Sequence, residues 1–191
     1  MSFRIVLLLV AAATACAFAQ PSDSVPAEIT PQFFQQLAEQ QFGPGYKLAD
    51  KFEQYRADFD GDGKEDLALV LTGKDPLGNS VKFDYKVVDP YDAYFGFGDP
   101  KVTTRVGNFG DGFNRCIGVI HDWKSAKPKA KFVIVNFPFS TLSVAYNSFK
   151  NKSVAAFYGH EVGGLTGIVF WAGKKYRWEP GAFTEPEAMA K

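Results

Sequence analysis

Two periods divide the chain. From Thr30 to Phe42 the apolar residues fall at helical spacing, with Phe33, Phe34, Leu37 and either Gln41 or Phe42 on one side. Thr30 offers a hydroxyl N-cap, and Pro31 stands at the first helical position, where a missing N–H costs nothing. Gly43-Pro44-Gly45 stops the segment. These signals predict one helix of about three turns. Beyond it the period shortens to two. Val81, Phe83, Tyr85 and Val87 alternate with polar residues, as a half-buried strand requires. Short runs at 66–72, 101–106, 116–120, 132–137, 154–158 and 165–171 also read as strands, with Gly, Pro, Asn and Asp in the gaps. The last run, followed by Ala172-Gly173-Lys174-Lys175 and Tyr176-Arg177-Trp178, predicts a closing hairpin. Residues 140–150 fit helix or loop. The expected fold is α+β, mainly antiparallel β-sheet with one N-terminal helix, in a single domain.

The N-terminus carries a different pattern. Arg4 is the only charge in residues 1–19, Ile5 to Ala15 is an apolar run, and Ala17-Phe18-Ala19 has the small-x-small form of a signal-peptidase site. We therefore expect residues 1–19 to be a signal peptide cleaved after Ala19, and the mature protein to be periplasmic or secreted. A rival reading makes Cys16 a lipid-modified N-terminus; Ala13, three residues before it, is smaller than the aliphatic residue such a site prefers. Residues 20–29 are rich in Pro, Ser and small side chains and read as a flexible linker. The domain is expected over 30–182, with a loose tail at 183–191. No later apolar run is long enough to span a membrane.

Charge narrows the partners. Acidic and basic residues balance over the whole chain, and loss of Arg4 leaves about one net negative charge. There is no basic stripe, which argues against a nucleic-acid partner. Without Cys16, Cys116 is the only cysteine, so no intrachain disulfide can brace an exported domain. A metal would be another source of rigidity.

Such a metal has an obvious place in the loop from Asp58 to Asp66. Carboxylates recur at its first, third, fifth and ninth positions, and glycines at the fourth and sixth. Alternate positions of a tightly wound loop point Asp58, Asp60 and Asp62 into one small volume, and Gly63 permits the bend. The Lys64 carbonyl and the Asp66 carboxylate complete an all-oxygen set suited to a hard cation such as Ca²⁺. Such crowded carboxylates repel one another strongly without a cation. The competing reading is a solvated Asp-Gly turn between strands. An EF-hand is excluded, because its twelfth position is Leu69 and the flanks are not helical. The segment DFDGDGKEDLALV resembles the strand–loop–strand calcium motif of FG-GAP and VCBS repeats. That resemblance covers about fifteen residues and implies calcium ligation by Asp58, Asp60, Asp62, the Lys64 carbonyl and Asp66. A single copy cannot close a propeller, which needs four or more blades. Asn108 to Asn114 echoes the loop faintly but lacks its carboxylates and reads as a turn.

A catalytic set is hard to assemble. Cys116 and His121, five apart on one strand, would face opposite sides. His160-Glu161 reads as a surface turn, and no G-x-S-x-G, H-E-x-x-H, P-loop or dinucleotide fingerprint occurs. Residues 89–100 place Tyr91, Tyr94, Phe95 and Phe97 in a Pro- and Gly-bounded loop, either as a recognition surface or as a cover for the sheet. The leading expectation is an exported, calcium-stabilised, non-catalytic domain that binds a protein or glycan of the cell envelope, with an inhibitor or immunity-type protein as one version. The alternative is a calcium-dependent hydrolase with an unrecognised site.

Overall fold

The computed structural model describes residues 30–51, 53–73, 76–96, 115–137, 139–160 and 166–181. The expected leader, linker and tail, the run at 101–106, the turn at 108–114, Phe97 and Glu161 lie outside them. Helix α1 spans Pro31–Phe42, with the Thr30 hydroxyl accepting from the Phe33 N–H and the Gly43 N–H closing onto the Glu39 carbonyl. Strands β1 (Lys47–Leu48), β2 (Gln54–Ala57) and β3 (Asp66–Thr72) follow, then helix α2 (Pro76–Phe83), β4 (Lys86–Val88) and helix α3 (Pro90–Tyr94). The second half contains β5 (Arg115–His121), β6 (Ala130–Ile134), β7 (Thr141–Phe149), β8 (Lys152–His160), β9 (Thr166–Trp171) and β10 (Tyr176–Pro180).

The strands form two sheets. One runs β1-β3-β5-β6-β4 with β2 also on β3, and the other runs β10-β9-β8-β7. Every pairing is antiparallel except β4 with β6, which is parallel. The fold is therefore mainly β with few helices, and the described strands close neither a barrel nor a propeller.

Alternation along the first sheet explains its near-continuous apolar strands. Leu67, Leu69 and Leu71 face Phe34, Ala38 and Phe42 of α1, whereas Ala68 and Val70 face the second sheet. On β5, Cys116 and Ile120 take the helix side, while Ile117 and Val119 take the inter-sheet side. Both faces are thus covered, so neither needs polar residues. Phe157, Val169, Tyr176 and Trp178 line the opposing inner face of the second sheet. At Gly118 the helix comes so near that an added Cβ would lie 2.8 Å from the Phe42 ring.

Among the elements that differ from the sequence expectation are α2 and β7. Residues 76–83 are helical, and the apparent alternation of Val81 and Phe83 leaves Val81 91% exposed. The helix is ended by Asp84 in left-handed backbone (φ 51°), and the Tyr85 N–H reaches back to the Ser80 carbonyl. Tyr85 is then buried, donating its hydroxyl to the Pro76 carbonyl and meeting the Tyr46 hydroxyl at 3.1 Å. Residues 140–150 are neither helix nor loop, because Thr141–Phe149 is the long strand β7. Its hairpin to β8 turns on Lys150 (φ 49°) and Asn151 (φ 62°), the doubly positive-φ geometry that matches strand twist.

Candidate functional site

The loop between β2 and β3 sits where the two sheets meet. Phe59, its second residue, is fully buried between them and stacks on Phe157 of β8 at 4.6 Å between ring centroids. The Asp58 carbonyl accepts from the Ala155 N–H of the same strand. Beside Phe59, the Asp60 carboxylate is itself only 4% exposed and lies against the buried His121. Gly61 holds left-handed backbone (φ 73°) against Val154, leaving no room for a side chain.

Backbone N–H groups organise the carboxylates. Asp58 accepts from Gly61 and Asp62 through Oδ1 and from Gly63 through Oδ2. Asp60 accepts from the Asp62 N–H, and Asp62 from the Lys64 N–H. Asp66, 1% exposed, accepts from Phe59 through Oδ2 and from Asp122 through Oδ1. The result is two overlapping groups: Asp58, Asp60 and Asp62 bring carboxylate oxygens within 4.8 Å of one another, and Asp60, Asp66 and His121 bring two carboxylate oxygens and an imidazole nitrogen equally close. Asp60 belongs to both. Of the sequence-predicted ligands, the four aspartates are brought together in this way. Lys64 sends its ammonium to Asp122 at 2.6 Å, away from the carboxylate group.

Three further participants come from the end of β5 and the connection to β6, far away in sequence. Lys129 places its ammonium 2.7 Å from Asp60 Oδ2 and 2.6 Å from Asp62 Oδ2. That contact holds the Asp62 carboxyl below its ordinary range, and the two carboxylates raise the lysine in turn. His121 is buried, with Nδ1 3.3 Å from Asp60 Oδ2 and Nε2 2.8 Å from the Tyr176 hydroxyl. Asp122, in left-handed backbone (φ 55°), supplies the N–H to Asp66 and the partner to Lys64.

Burial has opposite effects on the two inner groups. It pushes the Asp66 carboxyl up to about 7, with Asp60 and Asp58 adding to the rise and the Asp122 and Phe59 N–H groups opposing it. It pulls His121 down to about 4, against the attraction of Asp60. Near neutral pH the imidazole is therefore uncharged, and Asp66 is poised between its two forms.

The other candidates separate. Cys116 and His121 lie on opposite faces of β5; the Cys116 thiol contacts the Leu71 carbonyl, and burial pushes it up to about 12. Such a thiol is no nucleophile at neutral pH. His160 lies at the end of β8 rather than in a turn, its Nδ1 3.2 Å from the Thr166 hydroxyl.

The aromatic stretch is the short helix α3, capped by the Asp89 carboxylate on the Asp92 N–H. It lies over Trp178 of β10, with Tyr91 and Tyr94 edge-on at 5.0 and 4.8 Å between centroids. Tyr91 is half-buried, whereas Tyr94 and Phe95 remain 51% and 44% exposed. Between α3, β4 and β10 lies an open cleft of about 550 Å³. Sequence reasoning singled out the tyrosines but not Asp89, Arg177, Trp178 or Glu179 beside them.

No described helix is long and apolar enough to cross a membrane. Comparison with protein-family models, curated proteins and solved structures returned no match.

Proposed function

We propose that this chain is an exported binding domain for a protein or glycan of the cell envelope, braced by a calcium ion in the loop from Asp58 to Asp66. The observation that carries the reading is the convergence of Asp58, Asp60 and Asp62 within 4.8 Å at the junction of two sheets. The donor set fits a hard cation, being carboxylate oxygen on a glycine-bearing loop. Asp60 and Asp62 would hold the ion through the oxygens that now face Lys129, with Asp58 behind them, Asp66 on the buried side and the Lys64 carbonyl completing the set. When bound, it supplies two positive charges where Lys129 supplies one.

The chain's own residues give such an ion a structural task. Phe59 and the Asp58 carbonyl tie the loop to β8, and Asp66 ties it to the turn after β5. An ion that favours this loop geometry therefore stabilises both sheets together. The export and envelope part of the proposal rests on the leader-like pattern of residues 1–19 and on an inventory that offers aromatic surface rather than a nucleophile. An inhibitor or immunity-type role is one version of this reading.

The test is thermal unfolding in calcium, magnesium and chelator. A ligand at one hundred times its Kd contributes about 2.7 kcal/mol. For a weak site near 10⁻⁴ M, millimolar calcium should raise the Tm by several degrees, reversibly on chelation. A melt indifferent to calcium would remove the ion from the account.

A further inference from the structure

We propose that the cleft between α3, β4 and β10 binds a neutral oligosaccharide, with Tyr94 as the stacking face and Arg177 and Glu179 as partners for its hydroxyls. The inference rests on the reading of this chain as a binding domain, and it names the ligand class and the site. It requires nothing of the acidic loop.

The first support is shape. The cleft encloses about 550 Å³, within the range of small-molecule sites and sufficient for a few sugar rings. The second is rigidity. Two large rings, Tyr94 and Phe95, stay about half in water at an apolar hydration cost, yet they are not loose. Both pack on the buried Trp178, and their helix starts from Pro90 and the Asp89 cap. Asp89 is in turn fastened by the Asn136 amide, which donates to its Oδ2 at 2.5 Å. A preorganised aromatic face loses little entropy when a flat apolar surface settles on it, and the ring face of a sugar is such a surface.

The third support is charge. The walls carry Asp89 and Glu179 against Lys175 and Arg177, so acids and bases balance and select neither a polyanion nor a polycation. Strand alternation sends Tyr176 and Trp178 inward and leaves Arg177 and Glu179 exposed together. An exposed donor near an exposed acceptor matches hydroxyl groups, which do both. The competing occupant is an extended peptide added to the edge strand β10. That strand is only five residues long and ends at Pro180, which has no N–H for a ladder.

The experiment is an amide NMR titration of the mature chain with chitotriose, cellotriose and maltotriose, beside a heparin hexasaccharide and an extended apolar peptide. At least one neutral sugar should give saturable shifts at Tyr94, Arg177 and Trp178 below about 10 mM. Tyr94→Ala should weaken it by about tenfold or more, and Arg177→Ala several-fold, while the Tm of each variant moves by less than about 2 °C. No response to any neutral sugar, equal binding by Tyr94→Ala, or shifts only with heparin or peptide would overturn the proposal. Repeating the titration in chelator separates the two readings. Sugar binding in a protein whose melt ignores calcium leaves this site standing and the loop reading refuted. A calcium-dependent melt with no sugar response does the reverse.

Discussion

Phe59 and Tyr94 are both aromatic, both lie beside carboxylates, and they belong to regions built on opposite terms. Around Phe59 the four aspartates are tied down: Asp58 and Asp66 accept from backbone N–H groups, and Asp60 and Asp62 face Lys129. The ring itself is fully buried against Phe157. Around Tyr94 the packing stops halfway, with one edge on Trp178 and the other in water beside an open cleft. The first region has the features of a device that holds the sheets together, and the second those of a surface kept available. On the proposed reading, stability falls to the loop and recognition to the cleft, although Tyr176 lines the cleft and also meets His121 beside Asp60.

The sharpest way to break that division is to truncate both rings. Phe59→Ala removes a fully buried aromatic and should cost about 3–5 kcal/mol in chemical denaturation, with a loss of calcium affinity. An effect below about 1 kcal/mol would mean that the loop is not anchored through this residue.

Next in size is the pH dependence. Asp66 is raised from 3.8 to about 7, so the metal-free folded protein holds a proton between about pH 4 and 7 that the unfolded chain has lost. Its contribution to metal-free stability therefore falls as pH rises through that window. Asp89, which burial pushes up to about 6, acts in the same direction, whereas His121, lowered to about 4, opposes both. If calcium binds as proposed it needs Asp66 ionised, so its affinity should rise by up to tenfold per pH unit until about pH 7 and then level. Denaturation curves with calcium and with chelator should diverge as pH rises. Parallel curves would exclude Asp66 from the ligand set.

A smaller effect isolates Lys129. Lys129→Met removes the ammonium from Asp60 and Asp62 and should tighten calcium binding on the order of tenfold by calorimetry, or about 1.4 kcal/mol. The metal-free protein should lose only about 1 kcal/mol, because the lysine side chain is about half exposed. Unchanged affinity would show that the lysine does not compete for those oxygens. At the small end, Tyr94→Ala should change stability by less than about 1 kcal/mol. A core-sized loss would make Tyr94 a cover for the sheet and erase the contrast with Phe59.

Much of this architecture could be read from local chemistry. The Thr30 cap, Pro31 and Gly43 delimit α1, and the β9–β10 hairpin follows the predicted spacing. The run after the acidic loop is buried throughout because helix and sheet cover its two sides. The misses come mostly from partners outside the local sequence. Helix α2 was hidden because Tyr85 answers to Tyr46 and Pro76 rather than to an alternating strand. The β7–β8 hairpin turns on Lys150-Asn151, which carries no glycine to announce positive φ. Lys129, His121 and Asp122 reach the acidic loop through the pairing of β3 with β5, where Leu67 opposes Ile120. Nothing in the loop's own spacing encodes that register. Trp178 meets α3 by the same kind of long-range closure.

The measurement that bears most directly on the central claim is a crystal structure grown in millimolar calcium. The account predicts a cation about 2.3–2.6 Å from oxygens of Asp58, Asp60 and Asp62, with the Lys129 ammonium displaced from them. Lys129 still seated between Asp60 and Asp62, with no cation among the aspartates, would contradict it.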